Sequence, residues 1–205
     1  MASKIKTTKA TSIVKGAKAK PVKPGAAKAK KTTKPAGASK KAAAKGGSGK
    51  VELASKKAPA FTLADQDGNR VSLASLTARG TVVLYFYPKD MTPGCTVEAC
   101  SFRDNLAEVR ALGAQVVGIS ADSTGSHQKF IAKQSLNFPL LSDPGNTVTK
   151  AYGVYKMKSL YGREFLGIER TTFIIGRDGM IKRIFPKVKV TGHTEEVISA
   201  LKELG

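Results

Sequence analysis

Residues 81–100 read TVVLYFYPKDMTPGCTVEAC, and this stretch predicts the centre of the fold. Residues 82–87 form an unbroken run of β-branched and aromatic side chains, the composition of a buried strand. Pro88 ends the run, and a turn follows. From Cys95 to Val109 the apolar residues fall at helical spacing, so a helix is predicted there, with Gly113 closing it.

Cys95 lies where the predicted strand has ended and the predicted helix begins. Thr92 and Pro93 suit the cap and the first helical position. The unpaired N–H groups and the dipole of a helix start favour an anion, so a thiol there ionises more readily than a free one. Small ligands also bind beyond the carboxyl ends of the strands in open α/β sheets. Cys95 is therefore a candidate nucleophile.

The rest of the chain from residue 51 predicts an α/β fold. Asp-Gly turns predict two hairpins, which join 59–63 to 70–73 and 171–176 to 180–185. Residues 153–167 show no clear period and are predicted to form a loop. The other predicted elements are a strand at 115–120, a helix at 124–134, a strand at 138–141, a helix at 146–152 and a closing helix at 194–204. This order predicts a thioredoxin-like fold, a central mixed sheet with helices on both faces.

Charge divides the 205 residues into two parts. Residues 1–50 hold 15 lysines and no acidic residue, whereas residues 51–205 carry a net charge of +5. The first part contains few large apolar side chains, too few to offset the entropy lost on ordering, so a disordered tail is predicted. Residues 51–205 have the length of one domain.

The lysine-rich tail does not resemble a targeting signal. It lacks the apolar core of a secretory peptide and the arginines of a transit peptide, and no stretch of the chain is long and apolar enough to cross a bilayer. We therefore expect a soluble, cytoplasmic protein that keeps its tail. A free lysine arm binds DNA or RNA loosely and without sequence preference, which would favour a nuclear or nucleoid location. A solubilising arm, or one that contacts anionic lipid, is the alternative.

The chain has two cysteines, Cys95 and Cys100, which is not a disulfide framework and suits a reducing compartment. Both could simply be small core residues. Their C-x4-C spacing has no second close pair of ligands, so a zinc site is not predicted. His127 and His193 begin polar segments and are expected at the surface. The sequence implies no metal, nucleotide or other cofactor.

The run PKDMTPGC, residues 88–95, resembles the P-x-x-x-T-x-x-C signature of peroxiredoxins. A second cysteine five residues later, in TVEAC, is similar to the Q-type branch, also called bacterioferritin comigratory protein. The segments FTLADQDG, SHQKF, FPLLSD and GIERTTFII agree with that branch too, so the resemblance covers nearly all of 51–205 and excludes the tail. It implies a thioredoxin-like fold and a thiol peroxidase, and we expect a monomer.

The resemblance also implies a role for five residues. Cys95 matches the peroxidatic cysteine and Cys100 the resolving one, with which it would form a disulfide. Thr92 matches the hydroxyl that hydrogen-bonds the peroxide, and Pro88 matches the residue that shields the pocket. Arg170 matches the arginine beside the thiolate, where a permanent cation stabilises negative charge.

Two of these roles have structural conditions or alternatives. In a regular helix the Cα atoms of Cys95 and Cys100 would be about 8 to 9 Å apart and about 140° round the axis. A disulfide rarely closes beyond about 7 Å, so the helix must unwind locally if these cysteines pair. Without the resemblance, Arg170 would be interpreted as a surface ion pair with its neighbour Glu169.

The leading hypothesis is therefore a peroxidase that reduces hydrogen peroxide and small organic hydroperoxides and is recycled by thioredoxin, as the resemblance implies. One alternative is a chromatin or nucleoid protein whose thioredoxin-like domain is inactive. A general disulfide oxidoreductase is a weaker alternative, because the C-x-x-C motif of such enzymes is absent from the sequence.

Overall fold

The structure, a computed structural model, describes residues 56–160 and 162–205. The predicted disordered tail, 1–50, and the predicted start of the domain at residue 51 lie outside this part of the chain. The strands, β1 to β10, are Lys56–Lys57, Thr62–Asp65, Arg70–Ser72, Thr81–Phe86, Ala114–Ser120, Leu140–Ser142, Tyr155–Leu160, Arg163–Ile168, Thr171–Ile175 and Met180–Phe185. The helices, α1 to α6, are Leu73–Thr77, Pro93–Asp104, Leu106–Ala111, Thr124–Gln134, Thr147–Ala151 and His193–Leu204. Within the described ranges no helix is both long and apolar enough to span a bilayer.

Eight strands form one mixed sheet in the order β1-β10-β9-β4-β5-β6-β2-β3. The strand predicted from residues 82–87 is β4, which lies inside the sheet, parallel to β5 and antiparallel to β9. Both predicted hairpins are present, as β2–β3 and β9–β10. The predicted thioredoxin-like sheet is therefore confirmed.

Successive side chains of β4 point to opposite faces, and each face has its own core. Val83, Tyr85 and Tyr87 belong to the core that α2, α3, α4 and α6 cover. The residues between them, including Leu84 and Phe86, belong to the second core, which contains side chains of α1 and α5. Helices therefore cover both faces, as predicted, and α2 packs directly on β4.

Aromatic rings connect β4 to α2. The Tyr85 ring lies 5.4 Å from the Tyr87 ring and 5.1 Å from the ring of Phe102, which belongs to α2. Gly118 on β5 is paired with Tyr85 and leaves room for it, because a Cβ at Gly118 would come within 2.8 Å of the Tyr85 hydroxyl and 2.7 Å of Leu140 Cδ2. The ring stack thus supports the helix that carries both cysteines.

Residues 153–167 were predicted as a loop, and that prediction is wrong. They contain β7 and most of β8, a separate antiparallel hairpin in which Met157 pairs with Leu166 and Lys158 pairs with Phe165. Met157, Phe165 and Leu166 are all exposed. Of the hairpin side chains that the structure describes, only those at one end, where Tyr155 pairs with Ile168, reach the second core. Because the other described large apolar side chains are exposed, the segment does not alternate apolar and polar residues, which is why its period was not visible.

The single helix predicted from Cys95 to Gly113 is in fact two helices. Asn105 separates α2 from α3 and has a backbone conformation, φ −101° and ψ 8°, outside the helical range. Its side-chain Nδ2 donates to the Ser101 carbonyl at 2.9 Å, a local bond of the kind that competes with the helical ladder. The cysteines therefore lie on a helix of 12 residues that ends at Asp104.

Candidate active site

The start of α2 positions Cys95. Thr92 is the N-cap and Pro93 the first helical residue, as predicted, which puts Cys95 at the third position of the helix. The Thr92 side chain makes no capping hydrogen bond, and its Oγ1 instead donates to the Lys89 carbonyl at 3.0 Å. The N–H groups of the first turn therefore remain free of a side-chain cap. Cys95 itself is buried, with 1% of its surface exposed.

Arg170 contacts Cys95 directly. Its Nη2 donates to Cys95 Sγ at 3.3 Å, and its Nη1 donates to Glu98 Oε2. The arginine lies immediately before β9, and its carbonyl accepts a hydrogen bond from Val188 N at 2.9 Å, which holds the backbone in place. The alternative pairing with Glu169 is wrong, because Glu169 pairs with Lys156 at 2.7 Å. A guanidinium, which is a permanent cation, therefore stands beside the Cys95 sulfur.

Glu98, which the sequence analysis did not single out, shares this guanidinium. It lies one helical turn after Cys95 and is 1% exposed. Burial raises its pKa to about 7, although the charge and hydrogen bond of Arg170 act in the opposite direction. For Arg170 burial lowers the pKa, but the charges of Glu98 and Cys95 outweigh that effect and raise it. When Glu98 is protonated, more of the positive charge of Arg170 is left to Cys95.

The hairpin β7–β8 brings a second cation towards the site. Lys158 donates from Nζ to the Ile168 carbonyl at 2.7 Å, two residues before Arg170. The pKa of Lys158 is lowered, mainly by burial. Glu169 and Cys95 act to raise this pKa, whereas the charge of Arg170 lowers it further. Lys158 was not predicted as a site residue, because residues 153–167 were predicted to form a loop.

A buried network holds the loop between β4 and α2. Asp90 accepts hydrogen bonds from the Tyr87 hydroxyl at 2.7 Å and pairs with His127 Nδ1 at 2.9 Å. The Asp90 N–H donates to Asp122 Oδ2 at 2.9 Å. Burial would raise the pKa of Asp90, but hydrogen bonds from His127, Ser126 and Tyr87 outweigh it and lower the pKa. The loop that carries Pro88 and Thr92 is thus tied to the start of α4.

Both histidines are buried, so the expectation that they lie at the surface is wrong. His127 is 0% exposed and His193 is 1% exposed. His193 Nε2 lies 2.8 Å from Thr172 Oγ1. Burial lowers the pKa of His193, although the neighbouring Glu196 acts in the opposite direction. The partners of both rings include residues more than 20 positions away in the chain. Local polarity therefore gave no sign of their burial.

The remaining candidates lie outside the contact between Arg170 and Cys95. Pro88 lies two residues after the end of β4 and is exposed. Cys100 is half-buried, and its Sγ lies 3.6 Å from Gln134 Oε1. Both cysteines are free thiols. In the part of the chain that the structure describes, no cluster of three or more His, Cys, Asp or Glu side chains is arranged to hold a metal ion.

Comparison with known proteins assigns this arrangement to a family. The sequence profile of the AhpC/TSA family matches residues 54–184. The chain is 51% identical over 146 residues to a putative peroxiredoxin bcp of Coxiella burnetii. The matched region covers 71% of this chain and 96% of that protein. Peroxiredoxin Bcp of Escherichia coli is 44% identical over 146 residues, a region that covers 71% of this chain and 93% of the Escherichia coli protein.

A solved structure agrees with the sequence relatives. The bacterioferritin comigratory protein of Xanthomonas campestris superposes with a TM-score of 0.67 at 42% identity, covering 70% of this chain and 91% of its own. The predicted Q-type resemblance is therefore confirmed. The family match, the sequence relatives and the superposed structure agree, and the chain is therefore a thiol peroxidase and a member of the AhpC/TSA family of peroxiredoxins.

Proposed function

We propose that Cys95 is the peroxidatic residue and that its contact with Arg170 carries the reaction. The Cys95 thiolate attacks one oxygen of the peroxide, the O–O bond breaks, and the other oxygen leaves as water or alcohol after taking a proton. The product on the enzyme is a sulfenic acid. The hydrogen bond of 3.3 Å from Arg170 Nη2 to Cys95 Sγ supports this role, because a cation there stabilises both the thiolate and the charge that moves to the leaving oxygen.

Thr92 and Pro88 complete the proposed pocket. Because Thr92 is the N-cap of α2, its hydroxyl belongs to the same turn as Cys95. That hydroxyl donates to Lys89, which leaves its oxygen free to accept a hydrogen bond from a peroxide. Pro88 stands at the start of the same loop and would shield the peroxide from water. Hydrogen peroxide and small organic hydroperoxides are the substrates that we propose.

Cys100 is the proposed resolving residue. Its thiol condenses with the sulfenic acid of Cys95 to form an intramolecular disulfide and water, and the dithiol of a thioredoxin then restores both thiols by exchange. Because one chain supplies both cysteines, a monomer can complete the cycle. Thioredoxin recycling requires a reducing compartment such as the cytoplasm.

Substitution of each cysteine tests these roles. Cys95→Ser should abolish peroxide consumption, whereas Cys100→Ser should consume about one equivalent of peroxide per chain and then stop when thioredoxin is the reductant. Two measurements check these outcomes: the amount of peroxide consumed, and mass spectrometry of the 95–100 crosslink after one equivalent of peroxide. Sustained turnover by Cys95→Ser would refute the assignment of Cys95.

The basic segment 1–50 is proposed as a separate, disordered arm that tethers the domain 51–205 to nucleic acid. Its 15 lysines and absence of acidic residues support this proposal. Gel-shift titrations of the full chain and of residues 51–205, at several salt concentrations, test it. The full chain should be retained by DNA or RNA of any sequence and released by salt, and equal retention of the two proteins would remove the role of the arm.

A further inference from the structure

The end of α4 contacts the half of α2 that carries Cys100. Cys100 Sγ lies 3.6 Å from the side-chain Oε1 of Gln134, the last residue of α4. Arg103 Nη1 donates to the main-chain carbonyl of the same Gln134. Asn137 Nδ2 in turn lies 3.5 Å from the Arg103 carbonyl. The carbonyls at a helix end lack partners within the helix and carry its negative dipole, so a guanidinium suits this place.

The two halves of α2 are therefore held by different parts of the molecule. Cys95 and Glu98, in the first half, are buried and bonded to Arg170 at the start of β9. Cys100 and Arg103, in the second half, are bonded to the end of α4 and are both partly exposed. Asn105 then interrupts the helix, so a rearrangement of α2 need not extend into α3.

This arrangement directs Cys100 away from Cys95. Five residues along a helix place two side chains about 140° apart, with Cα atoms too distant for a disulfide of normal geometry. Some part of α2 must therefore rearrange before the two sulfurs can meet. Since Cys95 is buried and bonded to Arg170, we infer that the turn carrying Cys100, which is only partly buried, shifts relative to α4. Its contacts with Gln134 oppose that shift. Phe102 in the same turn is buried in the core, a restraint that substitutions at the end of α4 leave in place.

We propose that residues 134–137, which are the last residue of α4 and the three residues after it, act as a latch on α2. Release of this latch limits the rate at which Cys100 reaches Cys95. The proposal rests on the proposed resolving role of Cys100. In the step concerned, the Cys100 sulfur attacks the sulfenic sulfur of Cys95, an S–S bond forms, the S–OH bond breaks, and the hydroxide leaves with the Cys100 proton as water. Until the latch releases, the sulfenic acid stays open to a second peroxide, which oxidises it to sulfinic acid.

The test separates the two chemical steps in the full chain. Wild type, Arg103→Ala and Gln134→Ala are mixed with peroxide, quenched in acid at successive times and analysed by intact mass. Sulfenic acid should form at the wild-type rate in both variants, because neither residue contacts Cys95 or Arg170. The disulfide should form about fivefold faster in Arg103→Ala, the effect of losing one hydrogen bond, and less sulfinic acid should accumulate at high peroxide. Gln134→Ala should show a smaller acceleration, because its main-chain carbonyl still binds Arg103.

Two further variants distinguish a latch from a general loss of stability. Arg110→Ala removes another bond to the end of α4, from Arg110 Nη2 to the Asn137 carbonyl at 3.3 Å, but it does so from α3, beyond Asn105. It should leave the rate of disulfide formation unchanged. Arg103→Lys keeps a cation that can reach the Gln134 carbonyl and should return the rate towards that of wild type.

Unchanged or slower disulfide formation in both Arg103→Ala and Gln134→Ala would overturn the latch, as would an equal acceleration in Arg110→Ala. If the wild-type chain forms sulfenic acid but never a 95–100 disulfide, the proposed role of Cys100 fails as well. The two failures are thus distinguishable within one experiment.

Discussion

Glu98 and Cys95 compete for one guanidinium inside a buried site. Arg170 donates one arm to each of them, and Glu98 Oε1 is buried without a hydrogen-bond partner in the described structure. Its pKa of about 7 means that the carboxyl changes charge in the physiological range. Above that pH the charged Glu98 carboxylate pairs with Arg170, and below it more of the charge of Arg170 is left to Cys95. Glu98 therefore sets how much positive charge reaches the proposed nucleophile, Cys95.

The raised pKa of Glu98 has a consequence for stability. A carboxyl with a pKa of 4.5 in the unfolded chain and about 7 in the folded one stabilises the fold fully below pH 4.5, and that contribution is lost as the pH rises through 7. Glu98→Gln stays neutral at every pH. The unfolding free energy of the variant relative to wild type should therefore rise by about 3 kcal/mol between pH 4.5 and pH 8. Urea unfolding at both pH values measures it, and a difference that does not change with pH would contradict the assignment.

The connection from β4 to α2 is an element whose shape depends on one buried carboxylate. Asp90 is 5% exposed, and Met91 beside it adopts a positive φ of 57°, which is uncommon for a residue other than glycine. Hydrogen bonds of the Asp90 carboxylate with Tyr87 and His127, and one from the Asp90 N–H to Asp122, fix the loop in this conformation. The loop then delivers Thr92 to the start of the helix.

Acid should weaken this connection. Because the pKa of Asp90 is lowered from 3.8, its contribution to stability is present above that pH and is lost as the pH falls through the folded-state pKa. Asp90→Asn should lower the unfolding free energy by about 1 to 3 kcal/mol at pH 6, the cost of disturbing a buried hydrogen-bonded carboxylate. That deficit should shrink as the pH is lowered below 3.8. Denaturant titrations across this range test the prediction, and a deficit that grows with acid would refute it.

At the scale of the whole molecule, two cores share one sheet, and the ring stack of Tyr85, Tyr87 and Phe102 lies in the first core. Gly118 is the residue that makes room for it. Gly118→Ala should lower the unfolding free energy by about 1 to 3 kcal/mol, because the new methyl group meets Leu140 and Tyr85 below contact distance.

Gly125 in α4 provides the matched control. A Cβ at Gly125 meets no atom within 4 Å, and alanine is the better helix former. Gly125→Ala should therefore leave stability unchanged or raise it by up to about 1 kcal/mol. Thermal and urea unfolding of the two variants compare them directly, and equal effects would show that the ring stack tolerates an extra methyl group.

The sequence predicted the parts of this molecule that depend on neighbours along the chain. Residues 82–87, Thr92 and Pro93 encode the strand, the cap and the helix start, so the position of Cys95 followed from local pattern. The hairpin β7–β8 was missed because most of its described large apolar side chains are exposed and, among these, only Tyr155 and Ile168 reach the core, so it carries no core period. Glu98 and His127 were missed because their burial depends on Arg170 and Asp90, which come from other elements. The latch on α2 likewise joins residues about 30 positions apart.

The ring stack described above also gives the protein an intrinsic optical reporter. The chain contains no tryptophan, so its ultraviolet emission comes from five tyrosines. Two of them, Tyr85 and Tyr87, lie in the core that α2 covers, and the Tyr85 ring packs against both Phe102 of α2 and the Tyr87 ring. Any shift of that helix during a catalytic cycle must alter the surroundings of these phenols. Fluorescence of the unlabelled enzyme should therefore follow the cycle in real time, with no indole signal to mask it.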